Sequence, residues 1–194
     1  MEISYRVVRF FPITPDFDKS GLREGALPPF YLLDDPDRLA RLAAATGLSC
    51  AIVEISTPDE ALTVCEAALP VLRLSAPVQA LPGDDSTADG LMVIESIDRA
   101  IDAALDGTAA AMATNPIQKS RLYDAGFTAP GHTEYLGQRA GLSHPPIMLL
   151  AGPNLKVVPV TIHLSVKDAV AALTYGEIVR TLKITIASLK SDFG

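Results

Sequence analysis

The chain has 194 residues, 48% of them hydrophobic, with a formal net charge of −7 and no tryptophan. That is enough for one ordinary domain whose core is filled by Ala, Leu, Val and Ile. The negative charge lacks the basic footprint of a nucleic-acid binder and argues against an anionic membrane surface, and no run approaches ~18 apolar residues, so no transmembrane helix is expected. Met1 to Arg6 has no compact apolar run ending in a small-residue cleavage site, so no signal peptide is expected and the cytoplasm is the expected location.

Residues 1–26 break every regular pattern: Phe10-Phe11-Pro12 and Thr14-Pro15 interrupt it, and Gly21 and Gly25 bracket a charged stretch. From Pro28 the pattern becomes regular. Phe30 to Leu33 reads as a buried strand, Asp35 as a helix N-cap with Pro36 at the first helical position, and Gly47 as the residue that closes that helix. Ala51 to Ile55 is the next strand. Thr57, Pro58 and Glu60 form a capping-box start. Pro70 to Leu74 is a further strand and Pro82 to Thr87 a loop. Ile94, Ile97, Ile101 and Leu105 share one face of a helix running to about Asp106. Ala109 to Ala113 predicts a strand, Ile117 to Ala125 a helix ended by Gly126, and Ile147–Leu150 and Val157–Ile162 two more strands, with Pro159 marking an edge or bulge. Ser165 with Asp168, and Thr174 with Glu177, start two last helices that run to about Leu173 and Asp192. Strands alternating with helices predict an α/β fold with a mainly parallel sheet flanked by helices. Cys50 and Cys65 form no Cys-x-x-Cys pair and read as small buried hydrophobes in a reducing compartment, with a disulfide between them left open.

The chemistry-bearing residues are few. No Gly-x-Gly-x-x-Gly follows a strand, and no Walker A loop or Gly-x-Ser-x-Gly elbow is present. With no cysteine pair and three histidines, a closed structural zinc site is not expected. His163 follows a β-branched run, where it either projects its imidazole into a crevice as a ligand or is packed and hydrogen-bonded. His132 follows Gly131 and precedes Thr133, which suits either close approach to a ligand or an ordinary helix start. Lys119 offers an ammonium beside helix-terminal N–H groups to a phosphate or carboxylate, or is a surface lysine. His144, before Pro145-Pro146, reads as solvated, and Asp84 and Asp85 as loop carboxylates.

Thr114-Asn115-Pro116-Ile117-Gln118-Lys119, Gly126-Phe127, Pro130-Gly131-His132-Thr133-Glu134-Tyr135 and Val160-Thr161-Ile162-His163-Leu164 together resemble the 4-hydroxythreonine-4-phosphate dehydrogenase family of pyridoxal phosphate biosynthesis. The resemblance runs from about Pro28 to Gly194 and is densest over Ala113–Tyr135 and Gly152–His163. It implies an isocitrate/isopropylmalate-dehydrogenase-like fold, truncated here, and a homodimer whose site is shared between subunits. It implies that His132 and Thr133 contact the small phosphorylated substrate, and that His163 is one of three histidines on a divalent metal such as zinc, magnesium or cobalt. The implied reaction passes hydride from a metal-bound hydroxyl carbon of 4-phosphohydroxy-L-threonine to NAD, and the resulting 3-oxo acid loses carbon dioxide to give 3-amino-2-oxopropyl phosphate.

The chain also departs from that family. Residues 1–26 lack the Gly-Asp-Pro-x-Gly-Ile-Gly opening and read as an atypical segment, which leaves 27–194 as the N-terminal portion of the dehydrogenase-like domain. Asp34-Asp35-Pro36 stands where the family often has Gly-Asp-Pro. The other two metal histidines and much of the NAD site belong to a half that would follow Gly194. The 194 residues alone are therefore expected to have little or no dehydrogenase activity, and to expose an edge and an apolar face prone to association. The alternatives are an inactive remnant of an interrupted gene, a stand-alone phosphate-ester-binding module using Lys119, His132 and Thr133, and a relative acting on phosphorylated four-carbon sugar acids.

Overall fold

A computed structural model describes residues 6–9, 29–79, 89–115, 117, 119–152 and 154–192. The expected loop at Pro82 to Thr87 lies outside them. The chain divides into two compact units, Met1–Gly131 and His132–Gly194.

The first unit is built on a five-stranded sheet. Strands β1 (Arg6–Arg9), β2 (Phe30–Asp34), β3 (Ile52–Ile55), β4 (Leu69–Arg73) and β5 (Ala111–Thr114) stand in the order β3-β4-β2-β1-β5. β2, β4 and β3 are mutually parallel, with Leu33 and Ile55 both in register with Leu72. β1 runs antiparallel to both β2 and β5, so β5 points the same way as β2. The sheet is therefore mainly parallel, as the alternation of elements predicts. Its one reversed strand comes from the stretch that carries no legible pattern.

Side chains alternate across a strand, so β2 feeds two cores. Tyr31 and Leu33 join Ile55, Leu74, Ala61 of helix α2 (Ala61–Val64) and Ala100 of helix α3 (Gly90–Leu105). Leu32 joins Val71 and Leu39 of helix α1 (Pro36–Thr46). Helices thus cover both faces, which is what parallel strands require. On α3, Ile97 and Ile101 are buried while Leu105 at the end of the same stripe is exposed.

The predicted caps hold. The Asp35 carboxylate accepts from the Asp37 N–H at 3.0 Å and Pro36 begins α1. Gly47 ends the helix in the left-handed region at φ 70°, which only glycine occupies cheaply. The Glu60 carboxylate accepts from the Thr57 N–H at 2.9 Å, but the helix it starts is a short 3-10 turn, Pro58–Glu60, running into α2. Helix α4 (Lys119–Asp124) is shorter than the predicted Ile117 to Ala125 and is followed by Gly126 at φ 93°. Cys50 is exposed, Cys65 is partly buried and both are free, which corrects the reading of two buried hydrophobes. Cys50 precedes the edge strand β3, where nothing among the described elements covers it.

The second unit holds helix α5 (His132–Arg139), strands β6 (Leu150–Ala151) and β7 (Lys156–Val157), helix α6 (Val166–Ala172) and helix α7 (Tyr175–Asp192). The Ser165 hydroxyl accepts from the Asp168 N–H and the Thr174 hydroxyl from the Glu177 N–H, as predicted. A Cβ on Gly137 would meet Pro146 Cδ at 3.0 Å, so glycine there lets α5 approach the segment after it. The two predicted strands shrink to an antiparallel ribbon of two residues each. Pro159 offers no N–H to a ladder and restricts Val158, and no third strand among the described residues extends the pair. Among the described residues of this unit only Gly137 and Thr181 are buried. Every buried apolar side chain among the described residues, from Tyr31 to Ala129, lies in the first unit.

Candidate functional site

The carboxyl ends of parallel strands are where open α/β sheets place ligands. In the first unit that edge is charged. β2 ends in Asp34 and runs into Asp35, β4 ends in Arg73, and α1 contributes Asp37 and Arg38. Arg38 Nη1 donates to both oxygens of Asp34, at 3.2 and 3.0 Å, and both side chains are buried. The Asp35 carboxylate accepts from the N–H of Asp37, the N–H of Val78 and Arg73 Nη1, each at 3.0 Å. Arg73 also donates to Asp37 at 2.9 Å and, through Nε and Nη2, to Glu54. Beside them the Glu95 carboxylate accepts from the N–H and hydroxyl of Ser75 and from Arg99 Nη1, which also reaches the Arg73 carbonyl at 2.7 Å.

These groups satisfy one another. The cluster clamps β2, β4, α1 and α3 together, and its exposed carboxylates, Asp37 and Glu54, are both engaged by Arg73. The spacing of Asp34 and Arg38, one helical turn apart, carries the only sequence signal for it.

Its electrostatics are mixed in sign. Burial pushes the Asp34 carboxyl up, partly opposed by Arg38. Hydrogen bonds from Arg73 hold the Glu54 carboxyl below its ordinary value. Glu54 therefore contributes stability that is present above its unfolded value and lost as pH falls through its lower folded value. Asp34 contributes the opposite: its share is present below its unfolded value and lost as pH rises through the raised folded one. Glu54→Gln is accordingly expected to make the loss of thermal stability between about pH 5 and pH 3 less steep. Melting temperatures taken stepwise across that range check this, and an unchanged slope would contradict it.

The residues singled out in the sequence are distributed between the units. Lys119 opens α4 in the first unit and is exposed. His132 and Thr133 form the first turn of α5 in the second, both partly buried. His163 is exposed and does not end a strand. It stands in a bend at φ 58°, a left-handed conformation a non-glycine residue rarely adopts, ahead of the Ser165 cap of α6. Within the second unit His132 and Thr133 are neighbours by helix geometry. His144 is partly buried in the loop after α5, its Nδ1 3.1 Å from the Pro145 carbonyl oxygen.

Among the described residues no three His, Cys, Asp or Glu side chains converge as metal ligands. A divalent ion needs several such donors, so His163 alone does not make a metal centre. No helix among the described residues is long and apolar enough to cross a membrane.

A mainly parallel sheet with helices packed on both faces defines an α/β protein of the open-sheet kind. Residues 27–194 match the family of the pyridoxal phosphate biosynthetic protein PdxA, and the chain belongs to that family. It is 41% identical over 196 aligned positions to the 4-hydroxythreonine-4-phosphate dehydrogenase of Bradyrhizobium diazoefficiens, covering 94% of this chain and 56% of that one. The enzyme of the same name from Methylorubrum populi is 42% identical over 177 positions, covering 88% and 50%. The crystal structure of 4-hydroxythreonine-4-phosphate dehydrogenase from Klebsiella pneumoniae superposes with a TM-score of 0.69 at 28% identity, over 81% of this chain and 48% of that one. The one from Burkholderia phymatum gives 0.65 at 25% identity, over 82% and 48%. The chain spans about half the length of the relatives it matches.

Proposed function

We propose that this chain supplies the phosphorylated-substrate-binding part of a cytoplasmic, homodimeric, NAD- and metal-dependent 4-hydroxythreonine-4-phosphate dehydrogenase. The observation that carries the reading is the family match over residues 27–194, which takes in all four residues singled out in the sequence. In this reading His132 and Thr133 hold the phosphorylated substrate. Both sit in the first turn of α5, where backbone N–H groups and the positive end of the helix dipole favour a phosphoryl group. Lys119 is a further ammonium donor to a phosphate or carboxylate. His163 is one ligand of a divalent metal whose remaining ligands lie outside the described residues.

Binding is separable from turnover and tests the reading. The chain is expected to bind the substrate phosphate ester weakly, and His132→Ala is expected to weaken that binding at least about tenfold, the loss of roughly one charge-assisted hydrogen bond. Isothermal titration with 4-phosphohydroxy-L-threonine measures it. Equal binding by the His132→Ala protein, with its melting temperature unchanged, would remove His132 from the site.

A further inference from the structure

Strand β3 is an open edge. It stands at one end of the sheet and, among the described strands, pairs with β4 alone. The Ala51 carbonyl accepts from the Leu69 N–H at 2.8 Å. Backbone groups alternate in direction along a strand, so those of Ala51, Val53 and Ile55 face β4 while those of Ile52 and Glu54 face away from the sheet. Edges are commonly blunted by lysine, proline or a bulge. β3 carries neither residue, and its register with β4 runs unbroken from Ile52 to Ile55.

The two faces of this edge differ in chemistry. Val53 and Ile55 point to one face, where Ile55 shares a core cluster with Ala61 of α2. On that face Val53 is 39% exposed, and Leu62 of α2 is 38% exposed. Ile52 and Glu54 point to the other, where Ile52 packs against the cluster of Leu32, Leu39 and Val71. Glu54, half exposed, shares the one guanidinium of Arg73 with Asp35 and Asp37, so carboxylates outnumber cations there. From Leu42 to Leu72 the charged residues are Glu54, Asp59, Glu60 and Glu66, with no lysine, arginine or histidine among them. The edge is therefore apolar on one side and negative on the other, and a strand that fits it alternates apolar and basic side chains.

We propose that β3 accepts an added strand from an extended basic segment of another protein. Its apolar side chains lie toward Val53 and its lysines or arginines toward Glu54 and Asp37. Main-chain hydrogen bonds to Ile52 and Glu54 supply affinity, and the alternation of side chains supplies specificity. Four residues offer few such bonds, so the dissociation constant is on the order of 100 μM. The docking edge lies wholly in the first unit and is independent of the catalytic reading.

The test uses a capped hexapeptide of alternating lysine and valine, titrated into the purified chain by NMR at low salt. The expected result is saturable binding that slows hydrogen exchange at the Ile52 and Glu54 amides, while the Val53 amide, already facing β4, changes little. The same peptide with every amide N-methylated keeps its charges but loses its donors, and it is expected to bind at least about tenfold more weakly. Val53→Lys removes the apolar contact and adds a like charge, and it is expected to weaken binding at least about tenfold with the melting temperature unchanged. Raising salt from about 0.05 to 0.5 M should weaken binding several-fold. Equal binding by the N-methylated peptide would overturn the proposal, because charge attraction alone would then account for it. Unchanged exchange at Ile52 and Glu54 in the presence of saturating peptide would overturn it too, as would no binding up to about 2 mM.

Discussion

Arg38→Ala is expected to destabilise the chain by about 3–5 kcal/mol, the cost of removing one partner from a buried ion pair. Arg38 and Asp34 are 8% and 7% exposed, and the guanidinium spans both carboxylate oxygens. Burial already pushes the Asp34 carboxyl up, and Arg38 is the largest influence that holds it down. Without Arg38 the carboxylate must either stay charged with no counter-ion or take up a proton. Its other recorded donor is the Asp35 N–H at 2.7 Å, which does not carry a full charge. The loss should be largest near neutral pH and shrink as pH falls toward the raised value of Asp34, where the neutral acid no longer needs a cation. Urea unfolding at several pH values measures both features. The double variant Asp34→Leu/Arg38→Met is expected to recover most of the loss, because a matched apolar pair removes both charges together. A single-variant loss below about 1 kcal/mol would show that the pair is not the clamp between β2 and α1.

The second large effect is on catalysis. A polypeptide of these 194 residues is expected to show no dehydrogenase turnover above background, a loss of several orders of magnitude against a complete family enzyme. The chain covers 56% and 50% of two such enzymes. Among its described residues His163 is exposed, and no three His, Cys, Asp or Glu side chains converge as metal ligands. A lone imidazole in water neither selects a divalent ion nor holds it against a substrate oxygen. Among the described residues of the second unit no apolar side chain is buried to fix that histidine, and catalytic groups must be held to within a fraction of an ångström to act.

What the sequence reveals here is whatever is local. Asp35-Pro36, Gly47, Ser165 and Thr174 announce helix ends because a cap is decided within four residues, and each one is found in place. β2, β3 and β4 were legible as short apolar runs between turn signals. β1 was not, because Arg6-Val7-Val8-Arg9 is too short for a periodic pattern and its pairing with Phe30–Leu32 and Ala111–Thr114 is non-local. The apolar run Val157 to Ile162 reads as a strand for the same reason in reverse. A strand needs a partner as well as propensity, and past Val157 there is none among the described residues. That misreading set the expected place of His163, which lies in an exposed bend instead of at a strand end. For His132 and Thr133 a helix start was one of two readings left open, and they do stand in the first turn of α5. The charge cluster around Arg73 was invisible because Glu54, Asp35 and Asp37 reach it from separate elements.

The most direct measurement is NADH formation by the purified 194-residue chain with 4-phosphohydroxy-L-threonine, NAD and zinc, magnesium or cobalt, run beside a full-length family enzyme. No rate above the protein-free background is the predicted result. Metal-dependent turnover at the full-length rate would contradict it, and would mean that these residues assemble a complete metal and nicotinamide site.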